Sequence, residues 1–265
     1  MKVFISADIE GITTINSWDE ANPNHGSYGL HAKQMTDEVL ACIEGAKKAG
    51  AKEIVVRDAH GPAANIDPTM MPSGVTLLRG WSGHPYSMSE GIDKSFDAAM
   101  FLGYHSSAGR VGNPLAHTIS FNSNYIKING TLTSEFLLYS YACALEGVPT
   151  VFLSGDKMLC EDFKDLHPKL VTCVVRDGLG SLSVNYSTED TMKSIKESSE
   201  KALRQDLKNA LVQLPKHFKV ELLYKEAKSA QKASYFPGVN RKDDCTIIFE
   251  SDCFYTVLQT IQWIM

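Results

Sequence analysis

Three places in this sequence set metal-binding side chains directly after a run of buried-strand residues. In KVFISADIEG, Asp8 and Glu10 follow the apolar run 3–5. In EIVVRDAHG, His60 follows the run 54–56, and in AAMFLGYHS, His105 follows the run 98–103. In open α/β sheets, ligands sit beyond the carboxyl ends of the strands. If these strands are parallel neighbours, Asp8, Glu10, His60 and His105 converge at one sheet edge. Asp8 and Glu10 are two residues apart, so an extended chain would point both to the same side. Glu135, at the start of a later helix, offers a further donor. Two imidazoles and three carboxylates suit zinc, manganese or cobalt better than magnesium or calcium, which prefer all-oxygen shells. Five donors are too many for one open catalytic zinc. They suit two ions sharing a bridging carboxylate, about 3.5–4 Å apart, which together activate water and polarise a carbonyl. His117 lies outside that set and is a candidate base or nucleophile. The intervening SSAGRVGNPLA is rich in small residues and can fold back so that both rings face one cavity. Singly, an Asp-x-Glu also caps a helix, and a strand-end His also packs in a turn. The argument rests on three strand ends carrying donors of one kind.

Positioning these residues requires a sheet. Strands are expected at 3–6, 54–56, 75–78, 98–103, 118–121, 125–128, 149–154, 170–175, 220–223 and 246–249. Helical spacing covers 31–49, where Met35, Val39, Ile43 and Ala46 recur on one face. Further helices are expected at 86–97, from Thr133 or Ser134 to 145, at 188–214, at 225–233 and at 254–265. Residues 11–30 are rich in Gly, Asn, Ser and Pro and read as a long loop. Alternating strands and helices in the first two-thirds predict an α/β class with a largely parallel central sheet flanked by helices. The tail predicts a small C-terminal α+β subdomain, with the division near Pro215: residues 1–214 and 215–265.

Composition narrows the function classes. With 43% hydrophobic and 22% charged residues over 265 positions, the chain can bury a large core. A net charge of -5 lacks the basic footprint of a nucleic-acid binder. The denser KHFKVELLYKEAKSAQK mixes acids and apolar residues and reads as a solvated surface. No apolar run is long enough to span a membrane, and Asp8 interrupts the N-terminal run too early for a signal peptide. None of the six cysteines forms a C-x-x-C pair. A cytoplasmic, reduced protein is the expectation. Walker A, G-x-S-x-G and H-E-x-x-H are absent, and Gly178-Leu179-Gly180 lacks the context of a dinucleotide fingerprint. His25, His31, His84, His167 and His217 show no partner pattern, and surface positions are expected for them. Asp58 either orients a metal-bound His or caps its turn. Asp156 either borders the cavity or serves a turn. Residues 83–88 form a substrate-side loop or a plain connection.

With these residues in place, the sequence resembles the D-aminopeptidase family of binuclear zinc metallopeptidases, nearest to the type associated with bacterial dipeptide-permease operons. The resemblance runs the whole length. It is carried by DIEG, RDAHG, MSEGID, FLGYHS and NGTLTSEFLL, and by the strand-helix-FPG-strand-helix order of the tail. It implies that Asp8 bridges two zinc ions per subunit, with Glu10, His60, His105 and Glu135 completing the ligands. It implies that His117 is the catalytic nucleophile or base, although Ala116 stands where the family often has Ser. It also implies a ring-shaped homo-oligomer. The expected function is removal of N-terminal residues, D-amino acids by this resemblance, from short peptide substrates. One alternative is another binuclear-metal hydrolase acting on phosphoesters or cyclic amides, for which Arg57 and Arg110 could gather phosphate. Another is a non-catalytic protein stabilised by its metal, though structural zinc sites are usually closed and rich in Cys.

Overall fold

The computed structural model describes residues 1–164 and 169–265, so His167 lies outside the described residues. In chain order the first elements are β1 (Lys2–Ala7), α1 (Trp18–Ala21), α2 (Tyr28–Lys48), β2 (Glu53–Asp58), β3 (Val75–Leu78) and β4 (Ala98–Tyr104). Then come β5 (Ser123–Ile128), β6 (Thr131–Leu132), α3 (Glu135–Leu145), β7 (Thr150–Asp156), α4 (Lys157–Asp162), β8 (Val171–Leu179) and β9 (Leu182–Asn185). The last are α5 (Thr188–Arg204), β10 (Phe218–Tyr224), α6 (Ala227–Ala233), β11 (Asn240–Arg241), β12 (Thr246–Ser251) and α7 (Phe254–Ile264).

AAMFLGY and TVFLSGD lack exposed-type residues along most of their length, the pattern of strands covered on both faces. Every residue of β4 and β7 is buried. They belong to a seven-stranded sheet of order β3-β2-β1-β4-β7-β8-β9. Its pairs are parallel except the β8–β9 hairpin. The chain is thus α/β with a largely parallel central sheet flanked by helices. Val3, Ile5 and Ala7 of β1 pack against Met35, Val39 and Ile43 of α2 and Ile195 of α5. Each large aliphatic side chain buried there contributes about 1.5–3 kcal/mol. Phe4 and Phe101 face the other way, toward Phe136 of α3 and a second, antiparallel sheet.

That second sheet has the order β11-β12-β10-β5-β6. The tail strands therefore pair with residues 123–132, and a cut between 214 and 215 would divide this sheet. Among the described residues, no helix is long and apolar enough to cross a membrane.

Several local expectations change. The loop at 11–30 holds α1, whose Glu20 Oε2 accepts from the Ser17 N–H (3.1 Å), and the first turn of α2. Residues 118–121 form a tight turn instead of a strand, with Ile119 at φ 64°. The helix expected over 86–97 shrinks to a single 3-10 turn, Ser87–Ser89, and Gly91 at φ 99° stops any continuation. The helix expected over 188–214 ends at Arg204, where Gln205 turns extended, and Leu207–Ala210 is a separate 3-10 turn. The α4 helix and β9 carried too few periodic residues to be read.

β1 lies between β2 and β4, with Ala7 level with both Asp58 and Leu102. The chain segments that follow these three strands therefore leave the sheet at one edge.

Candidate metal centre

The expected extended pair at Asp8 and Glu10 is a turn. β1 ends at Ala7, and the Asp8 and Gly11 N–H groups donate to Leu102 O (2.9 Å) and Gly103 O (2.8 Å). This folds the segment 8–11 against the end of β4, and both carboxylates are buried there. Glycine is required at the contact. Gly103 has φ 68°, and a Cβ on it would lie 2.3 Å from Asp8 O. Gly103→Ala is therefore expected to cost about 2–4 kcal/mol through overpacking and left-handed strain, read as a lowered urea midpoint.

The histidines are pinned from behind. His60 Nε2–H donates to Ala21 O, His105 Nδ1–H to Ser106 O and His117 Nδ1–H to Leu115 O, each at 2.9 Å. Each backbone carbonyl fixes one ring nitrogen as donor and turns the other toward the carboxylates. His60 Nδ1 lies 2.9 Å from Glu10 Oε1 and 3.6 Å from Asp8 Oδ1. His105 Nε2 lies 3.0 Å from Glu135 Oε2 and 3.5 Å from Asp8 Oδ2. His117 Nε2 is 3.6 Å from Glu135 Oε1, and its ring stacks on His105 at 4.4 Å between centroids and 6° between planes. Asp8 thus faces both His60 and His105, one oxygen to each.

All six expected site residues therefore come together. Donor atoms of Asp8, Glu10 and His105 lie within 4.8 Å of one another, and so do those of His105, His117 and Glu135. The second group leaves His117 within reach of a ligand role as well as a catalytic one. The residues fit a metal. Asp8 Oδ2 and Glu10 Oε2 are buried without a hydrogen-bond partner, a costly state that a cation relieves. The mixed imidazole and carboxylate donors match zinc.

Electrostatics agree. Burial and the Glu10 charge push Asp8 well above the usual carboxylate range. Burial also raises Glu10 and Glu135, but the facing imidazoles outweigh it and hold both below that range, Glu10 far below. Burial alone would lower His60 and His105; the Glu10 charge lifts His60 to about 11, and the Glu135 charge lifts His105 to about 10. His117 is lowered by burial. In the metal-free protein, His60 and His105 therefore hold protons where a metal would sit. Their folded values exceed the unfolded value near 6.5. The stability they lend is full below that pH and is lost as pH rises toward 10–11. Zinc must displace those protons, so its apparent affinity is expected to rise with pH over the same window. Calorimetry at neutral pH in buffers of different ionisation enthalpy should show net proton release on zinc binding.

The centre opens into a cleft of about 490 Å³ lined by Asp8, Glu10, His60, His117 and Glu135 at its floor. Trp18, Trp81, Met88, Ile119 and Phe121 form much of its wall. Trp18 and Phe121 meet edge-on at 4.5 Å and contact the His117 ring at 5.1 and 5.4 Å. These wall residues leave no metal-site signal in the sequence, because none is an imidazole, carboxylate or thiolate. Asp58 caps its turn, accepting from Asn65 N–H (2.6 Å) and Ile66 N–H (2.8 Å), and does not touch the His60 ring. Asp156 accepts from the Ser106 N–H and hydroxyl, both at 2.6 Å, and so anchors the residue after His105. Asn113 Nδ2 links it to the Glu10 carbonyl. Of the remaining histidines, His25, His84 and His217 are exposed. His31 is buried, contrary to expectation, because α2 begins early and sets its Nδ1 2.9 Å from Thr14 Oγ1. Among the described residues, no Lys or Arg lines the cleft. Arg57 stacks on Trp81 at 4.2 Å, and Arg110 pairs with Asp162.

The sequence profile of a peptidase family described as D-aminopeptidase matches residues 1–263. A D-aminopeptidase of Bacillus subtilis (strain 168) is 26% identical over 249 residues, 94% of this chain and 90% of that protein. Among solved structures, the Zn-dependent D-aminopeptidase DppA from Bacillus subtilis, described as a self-compartmentalizing protease, superposes with a TM-score of 0.92. It is 25% identical, and the match covers 100% of this chain and 96% of that one.

Proposed function

The chain belongs to the D-aminopeptidase family and is a zinc-dependent aminopeptidase; from that premise we propose that it releases N-terminal D-residues from short peptides at two zinc ions per subunit. Asp8 would bridge the ions, with Glu10 and His60 on one side and His105 and Glu135 on the other. The observation that carries this reading is the Asp8 carboxylate, with Oδ1 3.6 Å from His60 and Oδ2 3.5 Å from His105. Bound zinc supplies a Lewis acid for the scissile carbonyl and lowers the pKa of water.

The protein's own groups do the rest. The three carboxylates at the cleft floor would offset the charge of bound zinc. His117 has its Nδ1–H tied to Leu115 O, which leaves Nε2 as the basic nitrogen. Burial lowers its pKa, so Nε2 is free at neutral pH to take a proton and return it to the leaving amine. The exposed Trp18–Phe121 wall offers an apolar surface beside His117 that receives apolar parts of the substrate. Among the described residues, no Lys or Arg lines the cleft to help metal hold a phosphate, which disfavours phosphoesters.

A ring-shaped homo-oligomer is part of the proposal. The β8–β9 hairpin exposes Leu179 (66%) and Leu182 (60%) beside Val184 and Tyr186, an apolar surface that a second copy would cover. A cytoplasmic location is consistent with six free cysteines.

The test compares D-Ala-D-Ala with L-Ala-L-Ala, using metal-stripped protein with and without added zinc. Zinc-dependent cleavage of the D-peptide alone is expected. Cleavage of the L-peptide would end the stereochemical reading, and cleavage of neither by zinc-loaded protein would end the peptidase reading.

A further inference from the structure

The turn after His117 holds a β-branched residue in a backbone conformation that such residues rarely adopt. Ser120 N–H donates to Thr118 O at 2.7 Å, closing a three-residue γ-turn around Ile119. Ile119 sits at φ 64°, on the strained, positive-φ side, where a β-branched residue is an outlier. Such strain persists only where the surroundings over-determine it, and it gathers at functional sites. Here Thr118 is bolted on two sides. Its Oγ1 donates to Thr133 O (3.2 Å) and accepts from the Ala108 N–H (3.1 Å). The strained residue's own N–H points at Glu135, donating to Oε1 at 2.5 Å. The other oxygen, Oε2, is the one that lies 3.0 Å from His105 Nε2.

We propose that the Thr118–Ser120 γ-turn is a positioning device for the metal centre: Ile119 gives up a relaxed backbone so that its N–H occupies Glu135 Oε1 and leaves Oε2 as the single oxygen presented to metal. The proposal rests on the reading of Glu135 as a ligand. The turn also explains why Glu135 faces His117 without hydrogen-bonding to it. Oε1 is turned to the Ile119 N–H, and His117 Nε2 stays 3.6 Å away. One strained peptide therefore serves two ends. It makes a two-handed carboxylate one-handed, and it keeps a neighbouring imidazole free. Phe121, two residues on, is carried to the cleft wall by the same turn.

The direct test removes only the N–H, by replacing Ile119 with its α-hydroxy acid so that the amide becomes an ester. Zinc affinity is measured by competition with a chelator. Groups that hydrogen-bond metal ligands typically contribute 10–100-fold to metal affinity, and a loss in that range is expected. A purely structural turn would instead lower the thermal midpoint of metal-free protein and leave zinc affinity unchanged; that result would overturn the proposal. Ile119→Asn is the companion variant, because Asn tolerates the left-handed region and keeps the N–H. It should hold zinc close to the wild-type affinity. If it weakens zinc as much as the ester does, the side chain carries the effect and the proposal fails. Because the readout is zinc affinity, the result stands apart from whether either dipeptide is cleaved.

Discussion

Asp8→Ala is expected to yield a folded protein that no longer holds two zinc ions and has lost peptide hydrolysis. Asp8 faces both His60 and His105, so its removal strips a donor from both halves of the centre. Metal assistance is worth several kcal/mol of barrier, so the rate should fall by roughly 10³-fold or more. The fold should survive. Asp8 is buried, and burial drives its pKa upward, so in the metal-free protein it is an expense to stability. Metal-free Asp8→Ala should therefore melt no lower than metal-free wild type. What should vanish is the rise in melting temperature on adding zinc, because that rise measures binding to the native state. Full zinc content with wild-type turnover would remove Asp8 from the centre.

His117→Ala separates chemistry from ligation. A positioned general base contributes typically 10²–10⁴-fold, and a kcat loss in that range is expected with zinc content retained. The distinction matters because His117 also lies within donor range of His105 and Glu135. Loss of zinc in this variant would make it a ligand. In the wild type, the acidic limb of kcat/KM should fall below the ordinary imidazole value, since burial lowers His117 and the base works only when deprotonated. A limb shifted upward would point to another group.

The legible part of this protein was the chemistry at strand ends. Donor types after the buried runs 3–5, 54–56 and 98–103 told both the sheet and the site, because a parallel sheet brings its carboxyl edges together whatever the loops do. The spacing of Asp8 and Glu10 predicts an extended pair. The chain turns there instead, because Gly103 and Gly11 let backbones approach more closely than any side chain allows. The second sheet was only half visible. Its strands β5 and β6 lie in the middle of the sequence, and their pairing with β10 depends on tertiary contact rather than on local pattern. Trp18, Ile119 and Phe121 left no signal, since their roles come from loop conformations that only the folded cleft imposes.

The position of β1 bears on how the chain is made. It is synthesised before both of its neighbours, yet it lies in the interior of the sheet and pairs with β2 on one side and β4 on the other. Once β2 has paired with one edge of KVFISA, the other edge must stay open until residues 98–104 have emerged and docked. Pairings between distant segments form slowly, and such exposed strands are where growing chains stick to one another. The strand that leads into Asp8 is thus a segment in need of protection during synthesis. Overproduction at high temperature should lose this protein to inclusion bodies through that segment, before any zinc has been bound.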